Sequence, residues 1–242
     1  MICPDVAGRG ESGWLSTSLE YNFPQFIGDM NMMLARIGAR EVDWVGTSMG
    51  GLLGMLLAAQ PNSPIRSLVM NDVGAFLPMA ALRQIASNLE APRTFKSLAA
   101  VEAHLRKTRS EWGAIPDAAW KELAVHSSRE TETGYRLHFD PALARIMKPL
   151  PVTPGLFFWD AWQRVNGPTL LLRGEHSNVF PASVAEQMTL RHPNTVVEEI
   201  AGCGHAPSLM VPQQAALVRD FFAQPVNWRD EDAAVAAAGA AH

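Results

Sequence analysis

Ser48 is the residue of this chain whose neighbours best suit it for chemistry. It lies in Gly46-Thr47-Ser48-Met49-Gly50, a G-x-S-x-G stretch extended by Gly51. An apolar run of β character, Val42-Asp43-Trp44-Val45, precedes it, and an apolar helical run, Leu52 to Ala59, follows it. Strand, tight turn and helix in that order make the pattern a nucleophile elbow, which holds a serine hydroxyl exposed at the carboxyl end of a sheet. The small neighbours let the helix pass close to the strand. The Met49 N–H falls at the helix N-terminus, where it can help bind an oxyanion. A serine hydroxyl is a weak nucleophile at neutral pH, so it needs a base within reach, and the base needs an orienting partner. Gly202-Cys203-Gly204-His205-Ala206-Pro207 offers that base. His205 follows the last strand signal, Thr195 to Ile200. In a parallel sheet such loops gather at the carboxyl edge, where the Ser48 turn also lies.

The elements that must position these groups are legible in the periodicity. Ile2 to Val6 reads as the end of a strand, running into a glycine-rich turn from Gly8 to Gly13. A helix is expected from about Pro24 to Gly38, with proline near its first position and Ile27, Met30, Leu34 and Ile37 on one face. The run after Ser48 is apolar nearly all round, which implies a helix buried in the middle of the fold. Ile65 to Met70 reads as a buried strand ending at Asn71-Asp72-Val73-Gly74. From Ala75 to Gly167 charge-bearing helical segments dominate, at Met79 to Leu89, Ser97 to Arg109 and Asp117 to His126, and strand signals are few. Trp112, Trp120, Trp159 and Trp162 fall in this stretch. Residues 75–167 are therefore expected to form a helical lid inserted into a core made of residues 1–74 and 168–223. In the second core part, a strand at Pro168 to Gly174, a helix at Pro181 to Arg191, a strand at Thr195 to Ile200 and a helix at Pro212 to Phe222 follow in turn. Residues 224–242 form an Ala/Gly-rich tract without a hydrophobic face, expected to be a disordered tail. Alternating strands and helices on both sides of the insert imply an α/β fold with a doubly wound, mostly parallel sheet.

Composition narrows the function. The 242 residues fit one domain, or one domain with an inserted lid, and 48% apolar content allows a large core. A formal net charge of −4 with mixed signs gives neither a nucleic-acid footprint nor a polybasic membrane patch. The longest apolar run is too short to span a bilayer, and the amino terminus lacks the features of a signal peptide. Two cysteines, Cys3 and Cys203, give no disulfide framework. A soluble cytoplasmic protein is expected. Gly8-Arg9-Gly10 lacks the Gly-Lys-Ser/Thr of a phosphate loop. Cys203 and His205 lack a second pair at metal-ligand spacing, so neither metal nor cofactor is expected.

Taken together, Pro4 to Ser12, Gly46 to Gly51, Asn71 to Gly74, Thr169 to Gly174 and Gly204-His205 make the chain resemble the α/β-hydrolase fold superfamily, of the esterase and hydrolase type. The resemblance runs from Ile2 to Phe222 and implies hydrolysis of a carboxylic ester or related acyl bond in a small molecule, without a cofactor. Ser48 would attack, His205 would carry the proton, and Met49 would help hold the oxyanion. Two departures stand out. The family's usual acid, after the strand at Thr169 to Leu172, falls here on Asn178, and an amide cannot carry the charge that stabilises an imidazolium. Asp72 follows the preceding strand at the same sheet edge, a placement similar to that in certain haloalkane dehalogenases; Glu175 is a third candidate. Both Asp72 and Asn178 remain open as the partner of His205. The family's first strands, and the His-Gly loop that supplies a second oxyanion donor, have no counterpart ahead of Asp5, which implies an N-terminally truncated chain. A catalytically impaired protein that binds a small hydrophobic ligand, or a C–C bond hydrolase of the same fold, are the alternatives. Neither substrate nor oligomeric state is legible.

Overall fold

A computed structural model describes residues 1–89, 94–145 and 153–223. The tail expected over residues 224–242 lies outside them. Helix α1 (Phe23–Ile37) begins where the Asn22 side chain accepts the Gln25 N–H, and ends at Gly38, whose φ of 66° suits a residue without a Cβ. Its buried stripe is Phe26, Met30 and Leu34. That is one position round from the expected face, and it leaves Ile37 at the surface.

Strand β1 (Val42–Thr47), helix α2 (Met49–Ala58) and strand β2 (Ile65–Asn71) form a parallel β-α-β unit. Helix α2 lies so close to the sheet that a Cβ on Gly54 would overlap the Trp44 ring and come within 2.7 Å of Leu68. Leu52, Leu53, Met55 and Leu57 are all buried, as the uniform apolarity of the run requires.

Between β2 and the rest of the sheet runs the insertion. Among the described residues it comprises β3 (Phe76–Pro78), α3 (Met79–Leu89), β4 (Thr94–Phe95), α4 (Leu98–Thr108), a 3₁₀ turn at Ser110–Trp112, α5 (Asp117–His126), β5 (Ser128–Thr131), β6 (Gly134–Leu137), a second 3₁₀ segment at Pro141–Arg145, β7 (Gly155–Phe157) and α6 (Trp159–Trp162). The three expected helices are present. The segment is not helical throughout, however: β3 pairs with β7, and β4, β6 and β5 form a second antiparallel sheet. These strands have two to four residues each, too few for alternation to show in the sequence. Phe95, Val101, Leu105, Ile115, Trp120 and Ala124 make a small core within the insertion, separate from the main one. Trp162 belongs to the main core and donates its indole N–H to the Met188 carbonyl (3.0 Å).

The chain returns to the sheet with β8 (Thr169–Gly174), α7 (Ala182–Arg191), β9 (Thr195–Ile200) and α8 (Pro212–Ala223). The main sheet is parallel throughout, in the order β1-β2-β8-β9. Its register sets Thr47 beside Asn71 and Asn71 beside Leu172, so the carboxyl ends of β1, β2 and β8 lie level. The expected strand at Ile2 to Val6 is not formed: no ladder bonds reach it from the described residues, and an extended segment needs such partners to be a strand. Asp5 instead organises the turn that follows, accepting the Glu11 N–H on its carboxylate (2.9 Å) and the Ser12 hydroxyl on its carbonyl (2.6 Å). No helix among the described residues is long and apolar enough to cross a membrane.

Candidate active site

The turn from β1 into α2 forces Ser48 to φ 53°, ψ −117°, a conformation that non-glycine residues rarely adopt. It is fastened on both sides. The Ser48 N–H donates to the Asn71 carbonyl (2.9 Å), and the Ser48 carbonyl accepts the N–H groups of Gly51 (2.9 Å) and Leu52 (3.1 Å). Close approach explains two of the glycines. A Cβ on Gly46 would overlap the Gly50 backbone, and one on Gly51 would lie 2.6 Å from Val73 and 2.9 Å from the Gly46 carbonyl. Gly50 has open space where a Cβ would go. Met49 opens α2, so its N–H is one of those that a helix leaves without an intrahelical acceptor.

From the opposite end of the chain, His205 brings Nε2 to 3.0 Å from the Ser48 hydroxyl and Nδ1 to 2.7 Å from Asp72 Oδ2. Asp72 is fully buried just beyond β2 and, like Ser48, has a positive φ, 55°. Its Oδ1 accepts the Gly174 N–H (2.8 Å), and its Oδ2 also accepts the Ser177 hydroxyl (2.6 Å). Three donors thus converge on the Asp72 carboxylate. A carboxylate can only accept, so Nδ1 is assigned the ring proton and Nε2 is left to accept from Ser48.

Asn178 is not part of this array. It is exposed, and its amide donates to the Gln84 side chain (2.9 Å). Glu175 accepts the Gly202 N–H (2.8 Å), which ties the β8 turn to the loop before His205. Sequence reasoning missed Ser177: nothing in the pattern around it indicates that its hydroxyl would meet Asp72, since the two are joined only by the β2–β8 pairing. Cys203 is buried, and that burial pushes its thiol pKa up, against a lowering hydrogen bond from Gln214. Among the described residues no group of three or more His, Cys, Asp or Glu side chains is placed to hold a metal ion.

A cavity of about 240 Å³ opens over Ser48 and His205. Its other walls come from the insertion, with Gln84, Arg109 and Trp112, and from Asn178. Arg109 and Trp112 also wall a second cavity of about 260 Å³, bounded further by Arg9 and Trp120. A hydroxyl, an imidazole and a buried carboxylate in one hydrogen-bonded line, beneath a cavity of small-molecule size, can deliver an alkoxide to an electrophilic carbon and take up its proton.

Residues 1–209 match the family model described as the alpha/beta hydrolase fold. A 3-hydroxybutyrate-oligomer hydrolase of Cupriavidus necator is 37% identical over 232 residues, covering 92% of this chain and 78% of that protein. A solved structure from Rickettsia typhi superposes with a TM-score of 0.84 at 27% identity, covering 91% of this chain and 75% of the other. An alpha/beta hydrolase from Novosphingobium aromaticivorans superposes with a TM-score of 0.78 at 29% identity, over 90% and 78% of the two chains. The elbow at Ser48, the parallel sheet beneath it and these likenesses over most of the length have one common meaning: the chain belongs to the α/β-hydrolase fold family.

Proposed function

We propose that this chain is a serine esterase that cleaves carboxylic esters of short hydroxy acids through an acyl-enzyme. The observation that carries the reading is the line Asp72–His205–Ser48, with hydrogen bonds of 2.7 and 3.0 Å. In this reading His205 Nε2 takes the Ser48 proton as Oγ attacks the ester carbonyl, and the Met49 N–H receives part of the developing oxyanion charge. The imidazolium, stabilised by Asp72, then gives its proton to the leaving alkoxide. Water enters by the same route in reverse and releases the acid and Ser48. Asp72, rather than Asn178, is the orienting acid. The relative from Cupriavidus necator directs the choice of substrate: an ester of 3-hydroxybutyrate with itself is short enough for the space over Ser48.

Hydrolysis of p-nitrophenyl butyrate and of the 3-hydroxybutyrate dimer by the wild-type protein, with Ser48→Ala alongside, tests the proposal. Loss of the nucleophile is expected to lower turnover by at least on the order of 10³-fold, with unfolding unchanged. Equal turnover in both proteins would remove Ser48 from the chemistry, and no turnover in either would leave the silent ligand-binding alternative.

A further inference from the structure

Two arginines near Ser48 carry charges that no carboxylate among the described residues pairs with. Arg109 lines both cavities and has its guanidinium 5.1 Å from the Trp112 ring. Arg9 walls the second cavity and brings Nη2 to 3.5 Å from the Met49 sulfur, the residue next to Ser48. The turn that carries Arg9 is pinned to the insertion, since Gly10 N–H donates to the His138 carbonyl (3.0 Å). Other arginines are ion-paired, Arg66 with Asp43, Arg106 with Glu102 and Asp117, and Arg173 with Glu199, while Arg129, Arg136 and Arg191 lie over tryptophan rings. Among the described residues Arg9 and Arg109 have no such ion pair. Burial pushes both guanidinium pKa values down, so the protein bears a cost for charges it leaves uncompensated.

The acids in the neighbourhood are engaged or turned away. Asp140 accepts the Tyr21 hydroxyl (2.6 Å) and the Ala142 N–H (2.8 Å). Glu111 borders the Ser48 cavity but is exposed, and its carboxylate is directed to Gly204, where a Cβ would meet Oε2 at 3.0 Å. Glu11, at 3.7 Å from His138, is almost wholly in solvent. What remains is a space with Leu105, Leu123 and Leu143 among its lining and two arginines in its wall, of which Arg109 also lines the Ser48 cavity and Arg9 touches Met49. A short aliphatic chain ending in an anion fits that description, and the planar fork of arginine matches a carboxylate with two parallel hydrogen bonds.

We propose that Arg9 and Arg109 bind a free carboxylate of the substrate, so that this site selects esters bearing an acid group a few bonds from the scissile carbonyl. The inference rests on the esterase reading for its substrate class, but its test does not need turnover. Ser48→Ala protein is titrated calorimetrically with the 3-hydroxybutyrate dimer as the free acid and as its methyl ester. The acid binds at least tenfold more tightly. Adding Arg109→Gln removes that preference, and Arg109→Lys retains part of it. Circular dichroism checks that each variant is folded, and Arg9→Gln replaces Arg109→Gln if the latter is not. Equal binding of acid and methyl ester, a preference that survives the folded glutamine variant, or tighter binding of inorganic phosphate than of the acid would each overturn the proposal. Failure of wild-type protein to hydrolyse the 3-hydroxybutyrate dimer, by contrast, would count against the esterase and leave the binding result standing.

Discussion

At the scale of single residues, the site turns on which group meets His205 Nδ1, and the two candidates behave differently under substitution. Asp72 receives three donors, from His205, Ser177 and the Gly174 backbone. An asparagine there can turn its oxygen toward only one side, so its NH₂ must face a donor on the other. Asp72→Asn therefore does two things at once. It takes the counter-charge from the imidazolium, which is expected to lower kcat by on the order of 10⁴-fold. It also leaves a buried donor unmet, at a cost of about 1–3 kcal/mol, read as a lower melting temperature. Asn178→Asp places a carboxylate at the surface beside Gln84 and is expected to raise neither rate nor stability. A rate increase in Asn178→Asp, with Asp72→Asn unchanged in turnover, would transfer the orienting role to position 178. The sequence offered both residues because both follow strands of one sheet. Choosing between them needed the distance across β2 and β8, which no local pattern encodes.

At the scale of elements, the helices were the most legible part of the chain. Asn22 and Gly38 bracket α1, and α3 and α5 occupy the residues that their periodicity indicates. The small sheets of the insertion were not legible, because strands such as Thr94–Phe95 are fixed by their partners rather than by their own alternation. Ile2 to Val6 errs in the opposite sense: its residues suit a strand, but no ladder forms on them from the described residues. The elbow shows what a motif conceals. Its glycines look alike in sequence, yet only Gly46 and Gly51 are crowded. At Gly46 the obstacle is backbone, which cannot give way, whereas at Gly51 the nearest atom is a Val73 methyl group. Thermal unfolding is therefore expected to rank the variants. Gly46→Ala loses the most, Gly51→Ala loses about 1–3 kcal/mol through overpacking, and Gly50→Ala is neutral or stabilised by up to about 1 kcal/mol through helix propensity. If Gly50→Ala were as damaging as Gly46→Ala, the close-approach account of the turn would be wrong.

At the scale of the whole molecule, the insertion and the main sheet must keep their places, because the cavity over Ser48 has walls from both. A buried polar bond helps to tie them, alongside that of Trp162 to Met188. The Tyr21 hydroxyl, just ahead of α1, donates to Asp140, at the far side of the insertion's β5–β6 hairpin, and accepts the Leu15 N–H (2.9 Å). Tyr21→Phe keeps the ring but leaves a buried carboxylate with its Ala142 bond and one donor fewer. That is expected to cost about 1–3 kcal/mol. In a cycle with Asp140→Ala, the double variant should lose less than the sum of the two single losses, since both remove the same bond. The bond also sets a pH dependence. Burial, and then the hydrogen bond to Asp140, push the Tyr21 pKa above its ordinary value. In the unfolded chain the phenol ionises near pH 10, and in the folded protein it ionises only at higher pH. Above about pH 10 the unfolded state therefore binds fewer protons than the folded one, and stability falls as pH rises. Urea unfolding of the wild type and of Tyr21→Phe from pH 8 to 11 separates this contribution: the alkaline loss should be shallower in the variant. Parallel slopes would mean that some other group governs the alkaline limit and that the Tyr21–Asp140 bond does not hold insertion and sheet together in the way argued.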